Sequence, residues 1–282
     1  MNILTFDIED WFHVLDNDLT KTSSEWKNME VRIHDNMELI FSILEKNNQK
    51  ATFFCLGWIA EKYPEIIREI DNRGYEIGSH TRMHQLSYSQ TPKEFKLDVS
   101  HSINSLEDLT GKKVRSFRSP GFSITENNKW TFEILHELGI EIDCSIFPAN
   151  RAHGGFPTYG TSEPSILKFN GCTLKEFPIN TYKLLGKDVV FSGGGYFRIF
   201  PLSVIKYLNS KSPYVMSYLH PRDFDKNQPM IPGLSKFRQF KSYVGLSGAQ
   251  KKLEAWLNAY DFIDINEADR KIEWGNVKSI EI

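Results

Sequence analysis

Short apolar segments alternate with longer amphipathic segments along this chain, and this order limits the folds that the chain can adopt. Segments 3–8, 51–56, 75–78, 114–117 and 140–144 are predicted to be buried strands, and helical patterns lie between them. Such alternation, with no linker or internal repeat, predicts a single α/β domain with a parallel sheet. A closed or nearly closed barrel and an open doubly wound sheet both satisfy the pattern.

Capping signals predict where several helices begin. Thr91 and Glu94 have the spacing of a capping box and predict a helix start there. Asp35 is expected to cap an earlier helix. The amphipathic stretch 59–70 is predicted to be one helix.

The second half of the chain is less regular. Region 147–171 is rich in glycine, proline and polar residues, which predicts a long loop. Segment 262–265 is predicted to be the last strand. The glycine triplet at 193–195 does not have the GxGxxG spacing after a strand, so no nucleotide site is predicted.

Two histidines, His80 and His84, follow the predicted strand 75–78 and are four residues apart. If the backbone coils into a helical turn there, both imidazoles lie on one face and can hold one divalent ion. Such a site usually needs a third ligand and an open position for water. The alternative is a pair of solvated loop histidines.

Polar side chains occur at the carboxyl ends of several predicted strands. In a parallel barrel these ends share one rim, where active sites form. Each residue alone has a structural explanation, such as a surface turn or a salt bridge, but together they indicate a functional site. The set is Asp7, Glu9, Asp10, His80, His84, Arg118, Asp143 and His220.

The composition narrows the classes of function. The net charge of −2, with both signs interspersed, leaves no basic field for a nucleic acid partner. The three cysteines form no CxxC pair and imply no disulfide framework, which favours a reducing compartment. No run approaches the ~20 apolar residues of a membrane span, and the amino terminus shows no signal peptide. We therefore expect a cytoplasmic protein with no membrane span.

Five motifs resemble those of the polysaccharide deacetylase family, the metal-dependent carbohydrate esterases that include chitin-oligosaccharide and peptidoglycan deacetylases. They comprise the acids Asp7, Glu9 and Asp10, the pair His80 and His84, Arg118-Ser119-Pro120, the surroundings of Asp143, and Leu219-His220. The stretch 143–148 and the C-terminal part resemble a subgroup found with bacterial exopolysaccharide and surface-glycan biosynthesis. The resemblance implies a distorted (β/α) barrel of about seven strands. It would be one polysaccharide deacetylase domain over 1–282, with motifs in 5–220 and a helix and strand in 246–266 completing the barrel.

The resemblance also implies one divalent metal ion, zinc first, with cobalt or nickel as alternatives. In the first motif Ile8 separates Asp7 from Glu9, whereas the commoner form has two adjacent aspartates. Because side chains alternate along a strand, Asp7 and Glu9 are expected to lie on the same side. Glu9 is therefore our first choice as third ligand beside the two histidines, and Asp10 is the alternative.

By the same resemblance, the protein is expected to hydrolyse carbon–nitrogen bonds and to remove N-acetyl groups from an amino sugar in a bacterial glycan or glycan precursor. Its expected partner is a carbohydrate that bears N-acetyl groups. Asp7 is expected to act as general base, with Arg118 keeping it ionised. His220 is expected to protonate the departing amine, with Asp143 orienting that imidazole.

Other residues are expected to contact the substrate. The backbone N–H of Gly121 or Phe122 is expected to stabilise the oxyanion. Trp11, Phe147 and Tyr196 are candidates for stacking on sugar rings, with core packing as the alternative role.

Two other functions stay open from the sequence. A related amidohydrolase acting on a small cyclic amide or ureide would use a similar barrel and metal, but a closed pocket. An inactive glycan-binding protein would be indicated by loss of the base or the acid, and this chain has both Asp7 and His220.

Overall fold

The computed structural model describes residues 1–15, 17–151, 153–184 and 187–282. The strands are β1 (Asn2–Ile3), β2 (Thr5–Ile8), β3 (Thr52–Cys55), β4 (Glu76–Ser79), β5 (Ser116–Phe117), β6 (Ile142–Asp143), β7 (Ser165–Phe169), β8 (Cys172–Glu176), β9 (Tyr182–Leu184), β10 (Lys187–Val189), β11 (Val215–Met216) and β12 (Lys278–Glu281). The helices are α1 (Ser23–Trp26), α2 (Ile33–Lys46), α3 (Gly57–Lys62), α4 (Pro64–Asn72), α5 (Pro92–Thr110), α6 (Trp130–Glu137), α7 (Gly194–Ile199), α8 (Leu202–Lys211), α9 (Lys236–Tyr243), α10 (Leu246–Leu257) and α11 (Ile265–Lys271).

Eight strands form the main sheet in the order β12-β7-β8-β6-β5-β4-β3-β2. Every neighbouring pair is parallel except β7 and β8, which are antiparallel. Beyond β2, a parallel bridge joins Phe6 to Leu219, and another joins Tyr218 to Gly193. The chain around β11 and the segment before α7 therefore continue the sheet.

A side chain also joins the segment after β8 to this extension of the sheet. The Asn180 side chain, just beyond β8, accepts a hydrogen bond from the Met216 N–H (2.9 Å) and one from the Ser192 hydroxyl (3.3 Å). The predicted α/β class and parallel sheet are therefore confirmed. The Asn180 side chain thus links the segment after β8 to β11 and to the segment before α7.

Both faces of the sheet are buried, as the apolar strands predict. In β3, Phe53 belongs to the larger core cluster, which also contains buried residues of helices α2 to α6, whereas Phe54 belongs to a second cluster. Consecutive side chains thus point to opposite faces. Cys55, Cys144 and Cys172 are buried free thiols. No helix among the described residues is both long and apolar enough to cross a membrane.

Three local predictions were wrong. The stretch 59–70 is two helices, because Pro64 starts α4 after a break at Tyr63. The predicted loop 147–171 contains β7, which pairs with β8 and β12. The predicted strand 262–265 is reduced to a bridge at Ile263, since Asp264 caps α11.

The start of α2 also differs from the prediction, whereas that of α5 does not. Thr91 and Glu94 form the predicted capping box of α5. Helix α2 begins at Ile33, before Asp35. At its start, the N–H groups of Arg32 and Ile33 donate to the carboxylate of Asp10, which lies more than 20 positions earlier in the chain.

Candidate metal centre and active site

The carboxyl ends of neighbouring parallel strands bring the predicted polar residues together. Asp7 lies in β2, Glu9 directly follows it, His80 follows β4 and Arg118 follows β5. His220 follows β11 on the other side of β2, where the Asp7 N–H donates to the Leu219 carbonyl (2.8 Å). The strand order therefore places all five residues at one rim, as the sequence predicts.

Glu9, His80 and His84 form a buried cluster that could hold a metal ion. One ligand atom from each lies within 4.8 Å of the others. The Glu9 Oε2 atom is 3.2 Å from the His84 Nε2 atom. The His80 Nδ1 atom lies 2.7 Å from the Arg118 carbonyl oxygen, so an N–H there leaves Nε2 with its lone pair for a metal. Two imidazoles and one carboxylate fit zinc and its first-row neighbours.

The loop that carries the two histidines is not a helical turn, contrary to our expectation. Thr81 and His84 have positive φ angles of 67° and 53°, a conformation that non-glycine residues rarely adopt and that often occurs at functional sites. The carbonyls of Thr81 and Arg82 accept hydrogen bonds from the first N–H groups of α3. Asp98 of α5 accepts from the Arg82 and Met83 N–H groups. Contacts to two helices thus fix the loop.

The ionisation of the cluster suits metal binding. Burial lowers the pKa of His80 to about 4 and the pKa of His84 well below its ordinary value, so both imidazoles are neutral at pH 7. Neutral imidazole is the form that binds a metal. Burial raises the pKa of Glu9 to about 7. A cation bound beside this carboxylate would favour its ionised form.

Asp10, our alternative ligand, does not join this cluster. Its Oδ2 atom accepts from the N–H groups of Arg32 (2.9 Å) and Ile33 (3.1 Å), and its Oδ1 atom accepts from the Trp11 N–H (2.7 Å). The carboxylate therefore caps α2, because the strand ends at Ile8 and the chain turns there. Glu9, the residue that strand alternation favours, is the acid that lies beside the two histidines, and its role as ligand stays a prediction.

Asp7 and Arg118 form a buried ion pair. The Arg118 Nη1 atom donates to Asp7 Oδ1 (2.7 Å) and to Thr5 Oγ1 (2.6 Å). Burial alone would raise the pKa of Asp7, but the charges of Arg118, His80 and His220 outweigh it and hold that pKa below its usual range. The arrangement therefore favours an ionised Asp7 beside the cluster.

His220 contacts the cluster and has a carboxylate partner that our sequence analysis missed. Its Nε2 atom is 3.1 Å from Glu9 Oε1 and 3.9 Å from Asp7 Oδ2. Its Nδ1 atom is 2.9 Å from Asp223 Oδ2, which also accepts from the His220 N–H. Asp223 Oδ1 lies 3.0 Å from Arg198 Nε. Pro221 directly after His220 was a signal for a tight turn that brings residue 223 back to the imidazole.

Asp143 does not orient His220, which corrects our prediction. It is fully buried, and its oxygens accept from the Ser145 hydroxyl (2.6 Å) and the Ser145 N–H (3.1 Å). Burial raises the pKa of Asp143, and burial together with the nearby charge of Asp143 raises the pKa of Glu176. Asp143 thus lies in the buried interior with Ser145 as its partner, and Asp223 occupies the place beside His220 that we had assigned to Asp143.

A cavity of about 730 Å³ opens beside the cluster. Glu9, His84 and His220 line it, and so do Phe147 and Tyr196. Tyr196 is 48% exposed and so is available to a ligand, whereas Phe147 is 3% exposed. A volume of this size is within the usual range for a small-molecule site.

Two further predicted contacts are corrected by the structure. Trp11 is 3% exposed, its indole N–H donates to the Glu30 carbonyl (2.8 Å), and it packs against Phe12, so it does not present a face to a sugar. The Phe122 N–H donates to the Ser119 carbonyl (3.1 Å) within a tight turn, which leaves it unsuited to an oxyanion. The oxyanion role of the Gly121 N–H stays a prediction.

Two family models match the chain. The model described as polysaccharide deacetylase matches residues 3–142. A second model, described as a domain of unknown function, matches residues 144–270. The first contains Asp7, Glu9, His80, His84 and Arg118, and the second contains His220 and Asp223, so both matched regions supply the site.

Curated relatives match part of the chain. It is 37% identical over 95 residues to a peptidoglycan-N-acetylglucosamine deacetylase of Bacillus cereus, covering 33% of this chain and 34% of the relative. It is 32% identical over 98 residues to a chitooligosaccharide deacetylase of Azorhizobium caulinodans, covering 34% of this chain and 44% of the relative. The matched part is thus less than half of each relative's length.

Solved structures share the fold over nearly the whole chain. A crystal structure of a candidate polysaccharide deacetylase from Mycobacterium smegmatis superposes with a TM-score of 0.66 at 18% identity. The superposition covers 99% of this chain and 92% of that one. At this identity the likeness shows the fold alone.

Proposed function

Because this chain belongs to the polysaccharide deacetylase family, we propose that it is a metal-dependent hydrolase that removes N-acetyl groups from an amino sugar in a bacterial glycan or glycan precursor. The observation that carries this proposal is one rim on which a metal-competent cluster, an ionised carboxylate and a carboxylate-bound imidazole meet. Amide hydrolysis needs these three functions together, since water must be activated and the leaving amine must be protonated.

Glu9, His80 and His84 would hold the metal, and zinc is our first choice, with cobalt or nickel as alternatives. When bound, such an ion supplies a Lewis acid that polarises the acetyl carbonyl and acidifies water. Burial of all three ligand residues supports this assignment, because a buried carboxylate beside two neutral imidazoles is stabilised by a divalent cation.

The other residues have proton-transfer and orienting roles. Asp7 accepts the proton of the attacking water, and the Arg118 ion pair keeps its carboxylate ionised and in place. His220 donates a proton to the departing amine from Nε2, which faces Glu9 and Asp7. Asp223 accepts the Nδ1–H of that imidazole, which fixes the ring and favours its cationic form.

We also propose that residues 1–282 act as one functional unit. The site draws Asp7, Glu9 and the histidine pair from the region matched by the first family model, and His220 with Asp223 from the region matched by the second. Neither region alone holds both the base and the acid. A cytoplasmic location remains our proposal from the sequence.

The test is acetate release from an N-acetylated chitin oligosaccharide by the zinc-loaded protein, with zinc content measured in parallel. His80→Ala should lose stoichiometric zinc and acetate release together, because it removes one of three ligands. His101→Ala is the matched control, since His101 is an exposed histidine of α5. Unchanged zinc content in His80→Ala would reject the site.

A further inference from the structure

Arg198, which lines the cavity, uses its guanidinium to hold other parts of the protein. Its Nη atoms donate to the carbonyls of Lys241, Ser242 and Val244, and its Nε atom lies 3.0 Å from Asp223 Oδ1. A guanidinium with this many protein acceptors has a structural role in the lining of the cavity. The other two arginines of the cavity differ from Arg198 in this respect.

Arg151, on the same cavity, is placed differently. Its guanidinium carbon lies 4.3 Å from the centre of the Phe147 ring, with the rings of Phe122 and Tyr218 at 5.4 and 5.5 Å. Its Nη1 atom donates to the Tyr218 hydroxyl (3.1 Å). Within the described part of the chain, no carboxylate lies at ion-pair distance from it. Aromatic faces hold the cation, and the described residues offer no counter-charge and only one acceptor for its N–H donors.

Arg222 is the second such cation. It is half-buried, it lines the same cavity, and it lies two residues after His220. Its neighbour Asp223 is committed elsewhere, because Oδ1 pairs with Arg198 and Oδ2 with His220. Among the residues that the structure describes, Arg222 has no ion-pair partner within 4 Å. Keeping a charge partly out of water without a partner costs free energy, which an anionic ligand would offset.

Resting on the proposed deacetylase function, we propose that the substrate carries an anionic group, a phosphate or a carboxylate, and that Arg151 and Arg222 bind it beside the acetylated sugar. The planar guanidinium binds both kinds of group through paired N–H donors. The substrate class is therefore an acidic amino-sugar glycan or a phosphorylated saccharide, rather than a neutral chitin chain.

Equilibrium binding tests the site apart from turnover. Inorganic phosphate and D-glucuronate are titrated into metal-free protein by calorimetry, so that neither can coordinate a metal. We expect saturable binding that weakens by about 10- to 100-fold in Arg151→Gln and Arg222→Gln, and stays unchanged in Lys168→Gln, an exposed cation of β7 outside the cavity. Binding of phosphate alone indicates a phosphorylated substrate, and binding of glucuronate alone indicates a uronate. No saturable binding of either anion to the wild-type protein overturns the proposal.

Kinetics then separate this proposal from the proposed function. Acetate release is compared between N-acetylglucosamine 1-phosphate, an N-acetylated saccharide carrying a uronate, and a neutral N-acetylated chitin oligosaccharide. The two variants should lower the ratio of kcat/KM for the charged probe over the neutral probe by about 10- to 100-fold. If both variants change all probes equally, the anion site is wrong and the deacetylase stands. If the wild type binds the anion but releases no acetate from any probe, the deacetylase proposal fails and the anion site stands.

Discussion

Replacing Asp223 with asparagine removes one negative charge from the His220 imidazole and nearly preserves the side-chain shape. An amide oxygen facing His220 keeps the two contacts of 2.9 and 3.0 Å, but the amide nitrogen then faces Arg198 Nε, where a 3.0 Å ion pair stood. Arg198 retains three carbonyl acceptors, so we expect the free energy of unfolding to fall by about 1–3 kcal/mol and the fold to survive.

The effect on turnover should exceed the effect on structure. The lost charge stabilises the imidazolium that we propose as proton donor to the amine, and loss of such an orienting carboxylate typically lowers activity about 10- to 100-fold. That range equals roughly 1.4–2.8 kcal/mol of transition-state free energy. His220→Ala removes the acid itself and should lower kcat about 10²- to 10⁴-fold. Neither variant should lose metal, because the cluster consists of Glu9, His80 and His84.

A double-mutant cycle, read out as acetate release with metal content as the control, decides whether Asp223 acts through the imidazole. If it does, Asp223→Asn in the His220→Ala background should cost almost nothing further. If the double variant instead shows the full product of the two single losses in kcat, the orienting role is refuted. So would a single Asp223→Asn variant that keeps its kcat while His220→Ala loses it.

Three further experiments test other assignments, the last of them at Glu76, the first residue of β4. Asp7→Asn should keep bound metal yet lower kcat about 10²- to 10⁴-fold, because a neutral amide does not accept the proton; near-normal acetate release would reject Asp7 as base. Glu9→Ala should lower metal affinity more than Asp10→Ala, whereas Asp10→Ala should lower Tm, because it removes the cap of α2; the reverse order in metal titrations would make Asp10 the ligand. Burial raises the folded-state pKa of Glu76 to about 7, so wild-type stability is lost as pH rises from about 4.5 through 7. Glu76→Gln should gain about 3 kcal/mol over the wild type across that window in denaturant titrations, and parallel pH profiles would contradict the buried acid.

The residues that could be predicted from the sequence share one property: they follow strands whose order is set by the βα alternation. Asp7, Glu9, His80 and Arg118 all stand at carboxyl ends of strands, so the topology alone brings them to one rim. His220 was found in the same way. Predicting this rim needed no knowledge of side-chain packing, because the carboxyl ends of neighbouring parallel strands lie at the same edge of the sheet.

The residues that were missed or misassigned depend on the path of irregular chain. The histidine loop uses positive φ angles at Thr81 and His84, which residue type disfavours and only tertiary contacts impose. Asp10 caps a helix 23 positions further on, at Ile33, a partnership that local capping rules do not predict. Asp223 is brought to His220 by the short turn that follows this histidine, and the hydrophobic periodicity of the sequence does not predict such a turn.

The charges of the site explain why three buried carboxylates can serve different purposes. Asp7 has Arg118 as its cation, and Asp223 has Arg198, so both are held ionised. Glu9 has imidazoles as its nearest partners, at 3.1 and 3.2 Å, and burial raises its pKa. Of the three, Glu9 is therefore the carboxylate whose ionised form a divalent cation would stabilise most. Although all three are carboxylates at one rim, their partners thus match the roles that we propose for them: Glu9 as metal ligand, Asp7 as base and Asp223 as the group that orients His220.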